Sequence, residues 1–95
     1  MKIEFDPRKD ASNRQKHGVS LADAALMDLE AAFVVPDERR AYGELRFRAY
    51  GVIGARMHML VFTMRGEVLR AISLRKANGK EIRTYGQKAR SRDDR

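Results

Sequence analysis

Three apolar runs separated by very short Gly-containing joins constrain this chain more than anything else in it. Arg46 to Ile53, Arg56 to Met64 and Glu67 to Leu74 follow one another with only Gly54-Ala55 and Arg65-Gly66 between them. Short joins of that kind are the usual hairpin signal, so the runs predict an antiparallel meander. In the middle run both alternating sets, Met57, Met59, Val61 and His58, Leu60, Phe62, Met64, are largely apolar. That strand is therefore expected at the centre of the sheet, covered on both faces. One face falls to helices from the N-terminal half. The other needs a C-terminal helix or a partner protein.

The flanking sequence supplies those helices. Lys2 to Phe5 alternates polar and apolar, as a short strand does, and Asp6-Pro7 stops it. Asp accepts backbone N–H bonds as an N-cap and Pro suits the first helical position, so a helix is expected from there to His17. Gly18 then supplies a left-handed cap. This helix is polar nearly all round and is expected on the surface, with Ala11 as one of its few contacts. Ser20 with Asp23 reads as a capping box opening a second helix, the one that packs, through Leu21, Ala24, Ala25 and Leu26. Phe33-Val34-Val35-Pro36 reads as a short edge strand and Asp37 to Gly43 as a charged loop. Asn78 and Glu81 make a second capping box, with Ala77 and Ile82 as its hydrophobic staple, and Ile82 and Tyr85 share a face. Gly86 is expected to end or loosen that helix. The fold class is α+β: an N-terminal strand and two helices on an antiparallel meander, then a C-terminal helix. Residues 1–88 read as one domain and 89–95 as a flexible basic tail.

Charge is distributed unevenly. The 95-residue chain carries +7, and the segment from Arg70 to Arg90 holds seven Lys or Arg (Arg70, Arg75, Lys76, Lys80, Arg83, Lys88, Arg90) against Glu81 alone. A positive field at a strand-to-helix junction, interleaved with Ser73, Asn78 and Tyr85, is what a phosphate backbone would meet. The absence of cysteine excludes disulfides and Cys-ligated metal. No apolar run reaches membrane-span length and the N-terminus lacks a signal-peptide pattern, so the chain is expected in the cytoplasm.

Arg75 ends the last run and Arg46 begins the first. The meander is expected to bring those ends to one edge of the sheet, where two guanidiniums can bracket one phosphate. The plainer reading pairs them with Glu44 or Glu81 in surface ion pairs. His17, at a helix C-terminus, is either a proton-transfer group or part of a cap. Glu81 is either a base or only the capping-box acid. His58 reads as a strand residue, and the two histidines have no acid at metal spacing, so neither metal nor cofactor is expected.

With these residues in view, the chain resembles the BrnT family of type II toxin–antitoxin toxins, small ribonucleases with a RelE-like fold. The resemblance rests on Asp6-Pro7-Arg8-Lys9 with Asn13, on Lys16-His17-Gly18-Val19-Ser20, on Gly43-Glu44 with Arg46, and on Arg70 to Ala77 with Glu81 and Tyr85. It implies metal-independent RNA cleavage, inhibition of translation and neutralisation by a BrnA-like, DNA-binding antitoxin, with the ribosome as a candidate platform. The catalytic set expected on that basis is Arg75, Arg46, His17 and Glu81. The expected RNA contacts are Lys16, Arg70, Lys76, Lys80 and Tyr85. The alternative class is a non-catalytic basic module that binds nucleic acid or protein.

Overall fold

The structure is a computed structural model that describes the backbone of residues 1–93 and the side chains of residues 1–88. Of the flexible tail expected over 89–95, the backbone of 89–93 is described, as the continuation of the last helix, and residues 94–95 lie outside the described residues. The three apolar runs are antiparallel strands β3 (Phe47–Ile53), β4 (Arg56–Arg65) and β5 (Val68–Lys76). Two short strands flank them. β1 (Lys2–Glu4) pairs parallel to β5, and β2 (Phe33–Pro36) pairs antiparallel to β3, giving a mixed sheet of order β1-β5-β4-β3-β2 with β4 at its centre. The fold class is α+β.

Gly54 and Gly66 open the two hairpin turns at φ 63° and 62°, and the residue after each has negative φ. This is the Gly-first turn that matches strand twist. The second turn is Gly66-Glu67 rather than Arg65-Gly66, because Arg65 still pairs with Val68.

Helix α1 (Pro7–His17) begins and ends where its caps dictate. The Asp6 carboxylate accepts from Arg8 N–H, Pro7 is the first helical residue, and Gly18 is left-handed with its N–H donated to Arg14 C=O. Its packing differs from expectation: Ala11 is exposed, and the buried positions are the polar Asp10 and Asn13. Asp10 accepts from Leu21 N–H (2.7 Å) and Ser20 Oγ (3.1 Å), tying α1 to the start of the second helix. That second helix, Leu21–Leu26, is a 3-10 helix. Leu21, Ala24 and Met27 are buried while Ala25 and Leu26 are exposed, a spacing of three that matches the 3-10 repeat rather than the α repeat. These residues cover the first sheet face, over Ala49, Leu60, Phe62, Leu69, Ala71 and Leu74.

A bulge in β5 divides the two faces. Val61 lies opposite Ser73 but Phe62 lies opposite Ala71, so Ile72 is the extra residue. The insertion lets Leu69, Ala71 and Leu74 all reach the first core, while Ile72 and Arg75 face the other way. Among the described residues no strand pairs with this part of the β5 edge, and the Asn13 side chain takes that place. It donates to Leu74 C=O (2.8 Å) and Val19 C=O (2.8 Å) and accepts from Leu74 N–H (3.1 Å).

Helix α2 (Gly79–Asp93) lies across β3 and β2 on the second face. Asn78 and Glu81 form the expected capping box, with Glu81 N–H donating to Asn78 Oδ1 (2.8 Å) and Asn78 N–H to Glu81 (2.9 Å). Of the staple pair Ala77 is buried, whereas Ile82 is 39% exposed. Gly86 does not end the helix; it is buried, and a Cβ added there would meet Ile82 and Met57 at ordinary van der Waals contact. Tyr85 stacks on Tyr50 at 4.0 Å and on Phe33 at 5.5 Å between ring centres. Met59 and Val61 are only 3% and 5% exposed. The C-terminal helix thus supplies cover for the second face, one of the two covers expected for it.

Asn13→Ala leaves three buried backbone groups without partners, each costing on the order of 1 kcal/mol or more. The expected loss is about 2–4 kcal/mol, read as a lower urea midpoint. Gln15→Ala, exposed on the same helix, should leave the midpoint nearly unchanged.

Candidate nucleic-acid interface

The second face of the sheet does not end at α2. Beyond it a groove of about 530 Å³ is lined by Asp37, Arg39, Arg40, Tyr42, Arg46, Met59, Val61, Ile72, Ser73 and Arg75. Its floor is strand and bulge, and one wall is the loop between β2 and β3. That loop is organised by Asp37, whose side chain is fully covered. The carboxylate accepts from Arg39 Nε (2.7 Å) and Nη2 (2.8 Å), from Arg39 N–H (3.3 Å) and from the Tyr42 hydroxyl (3.2 Å). Asp37 N–H closes the loop onto Arg46 C=O at 2.7 Å. The Arg39 hydrogen bonds, outweighing the cost of burial, lower the Asp37 pKa from 3.8 to about 2.

Both expected phosphate arginines line this groove, though not for the expected reason. The first and last strands of a three-strand meander run in the same direction, so the start of one and the end of the other lie at different ends of the sheet. Phe47 aligns through Phe62 with Ala71, whereas Arg75 aligns through Met59 with Tyr50. Arg46 and Arg75 are thus about 13 Å apart along the strand direction, and the groove spans that interval. Each is also paired, in agreement with the plainer reading. Arg75 Nη1 and Nη2 donate to the two Glu81 oxygens at 2.7 and 2.9 Å, and Arg46 Nε donates to Glu44 at 3.0 Å. Arg46 further lies over the Tyr42 ring at 4.2 Å. Glu81 accepts three hydrogen bonds, and chiefly because of Arg75 its pKa is lowered, which disfavours it as a base.

A second groove of about 220 Å³ adjoins the first across the β5 bulge, sharing Ile72 and Ser73. Its other lining residues are Lys9, Ser12, Asn13, Lys16 and His17. Lys16 and His17 therefore share one surface with Arg46 and Arg75. Other expected contacts lie elsewhere. Arg70 pairs with Glu4 at 3.1 Å beside β1. Lys76 and Lys80 are exposed and line neither groove. Tyr85 is held in its aromatic stack, a packing role. Sequence reasoning misses Asp37, Arg39, Arg40 and Tyr42. The available signal is an Asp two residues before an Arg directly after a strand-ending Pro, the spacing of a side chain that bonds its own turn.

Comparison with known families adds one decisive match. The family described as the ribonuclease toxin, BrnT, of type II toxin–antitoxin systems matches residues 5–81 of the 95. The chain belongs to the BrnT family. That match spans α1, both grooves and the strand-to-helix junction that ends at Glu81. Among curated proteins no match was found. BrnT membership makes this a ribonuclease toxin of a type II system by family, with an antitoxin as its partner class. Among the described residues, no helix is long and apolar enough to cross a membrane.

The Asp37 shift has a pH signature. Its folded pKa lies below its unfolded value, so the stabilisation is complete above about pH 4 and is lost as pH falls towards about 2. With Arg39 half exposed, the contribution is discounted to about 1–2 kcal/mol. The stability gap between wild type and Asp37→Asn should therefore be constant from pH 5 to 7 and narrow by that amount towards pH 2, measured by urea unfolding.

Proposed function

We propose that this BrnT chain, acting through residues 1–88 with a RelE-like layout, cleaves RNA without a metal, inhibits translation and is neutralised by a BrnA-like, DNA-binding antitoxin in the cytoplasm. The observation that carries the reading is the pair of adjoining grooves. One presents Arg46 and Arg75 to an anion; the other presents Lys16 and His17 across the β5 bulge.

In this reading the RNA 2′-hydroxyl loses its proton and attacks its own phosphate, the P–O5′ bond breaks, and the departing 5′-oxygen takes up a proton, leaving a 2′,3′-cyclic phosphate, which DNA cannot form. Arg75 binds that phosphate and stabilises the charge that develops on its oxygens, and Arg46, farther along the groove, binds the adjoining backbone. His17 transfers a proton to or from the reacting oxygens. Glu81 holds Arg75 in place rather than acting as base. Lys16 positions the strand, and a ribosome would supply orientation that the isolated chain lacks.

Single-turnover cleavage measured beside RNA affinity tests this. Arg75→Ala should slow cleavage by about a hundredfold or more, as loss of a transition-state donor does, with a smaller effect on affinity. Equal losses in rate and affinity would reduce Arg75 to one more phosphate contact. Failure of wild type to cut RNA, with and without ribosomes, would overturn the reading.

A further inference from the structure

The β2–β3 loop contributes more to the groove than a wall. Arg39 is anchored to a carboxylate that has no access to solvent, while its own side chain remains 49% exposed. A guanidinium carries five N–H donors in a fixed fork. Asp37 takes Nε–H and one hydrogen of Nη2, which leaves three donors on the outer edge. Arg39 lines the same groove as Arg75. Two like charges that line one groove, each held by a carboxylate, form a preorganised anion site.

We propose that Arg39 is a phosphate ligand of this groove, acting with Arg75 on one phosphodiester, and that Asp37 is the positioning residue that fixes it there. The class of ligand, single-stranded RNA, rests on the ribonuclease reading above; the presence of both guanidiniums in one groove does not. An ordinary surface ion pair leaves both partners wet and mobile and contributes little. Here the acid is covered, shares its second oxygen with Tyr42, and through Asp37 N–H is tied to the chain at Arg46. The fork shape matters as well as the charge, because a lysine at this position can neither grip both Asp37 oxygens nor present a second edge.

The test uses the full chain and a 2′-O-methyl RNA oligonucleotide, which binds but cannot be cut by 2′-hydroxyl attack, with affinity followed by anisotropy across a salt titration. Arg39→Gln should weaken binding about tenfold and reduce the salt slope by about 0.7, one phosphate contact on a single strand. Arg39→Lys keeps the charge, so a diffuse field predicts wild-type affinity, whereas the fork predicts a loss close to that of Arg39→Gln. Asp37→Asn adds one unit of positive charge; simple attraction predicts tighter binding, and loss of positioning predicts weaker. Arg39→Gln combined with Arg75→Gln should lose less than the sum of the single losses, as expected for two groups on one phosphate. Wild-type affinity in Arg39→Lys, or full additivity in the double variant, overturns the proposal. Should Asp37→Asn fail to fold, Arg39→Lys, altered only at a half-exposed side chain, still decides. Cleavage of the unmodified RNA is measured in parallel. A wild type that shows this binding pattern yet cuts nothing defeats the ribonuclease reading and leaves the site standing; a wild type that cuts RNA while Arg39→Lys binds normally defeats the site alone.

Discussion

The Asn13 amide on the open edge of β5 is the interaction on which the other elements depend. β1 pairs only with Val68 to Arg70, so beyond that point β5 would present unpaired backbone to the interior of a helix packing. Asn13 bonds both the N–H and the C=O of Leu74 and also holds Val19. One side chain thus substitutes for a strand neighbour and sets α1 and its exit against the sheet. The location matters because it is the site of the bulge, where an extra residue sends Leu74 to one face and Arg75 to the other. A β-bulge is a means of re-aiming side chains, and here it aims an arginine.

The opposite face solves a different problem. A central strand apolar on both sides needs cover, and a short chain has few elements to give. α2 supplies part through the Tyr85 stack. Phe33, Val35, Met57 and Ile72 pack against Tyr50, Met59 and Val61 as well. Arg48 also lies on this face, its guanidinium donating to the Tyr50 hydroxyl at 3.0 Å and lying 3.8 Å from Asp37, with Nε buried and without a hydrogen-bond partner. Arg39, Arg40, Arg46 and Arg75 line the same groove as Met59 and Val61.

The legibility of this chain in its sequence tracks the range of the interactions. The meander, both caps of α1 and the Asn78–Glu81 box depend on residues a few positions apart and can be read directly. Ala11 misleads because composition suggests an apolar contact, whereas α1 is attached by Asp10 and Asn13, and Asn13 acts on a residue 61 positions away. The 3-10 helix reads as an α-helix because Ala24, Ala25 and Leu26 are equally apolar, and only burial separates them. Gly86 reads as a stop because glycine is flexible, yet it lies buried inside a helix that continues past it. Arg46 and Arg75 are legible as groove residues, but the idea of which strand ends meet is mistaken. The Asp37 turn escapes notice because a charged loop gives no sign in sequence of which charge will be buried.

Every tyrosine of the chain belongs to this second face: Tyr42 lines the groove beside Arg46, and Tyr50 and Tyr85 stack ring on ring beneath α2. The chain has no tryptophan. Its intrinsic ultraviolet emission and near-ultraviolet dichroism above the phenylalanine bands therefore originate entirely from the region between the groove and the C-terminal helix. An optical titration of the unlabelled protein reports on this surface alone, with no background from the opposite core.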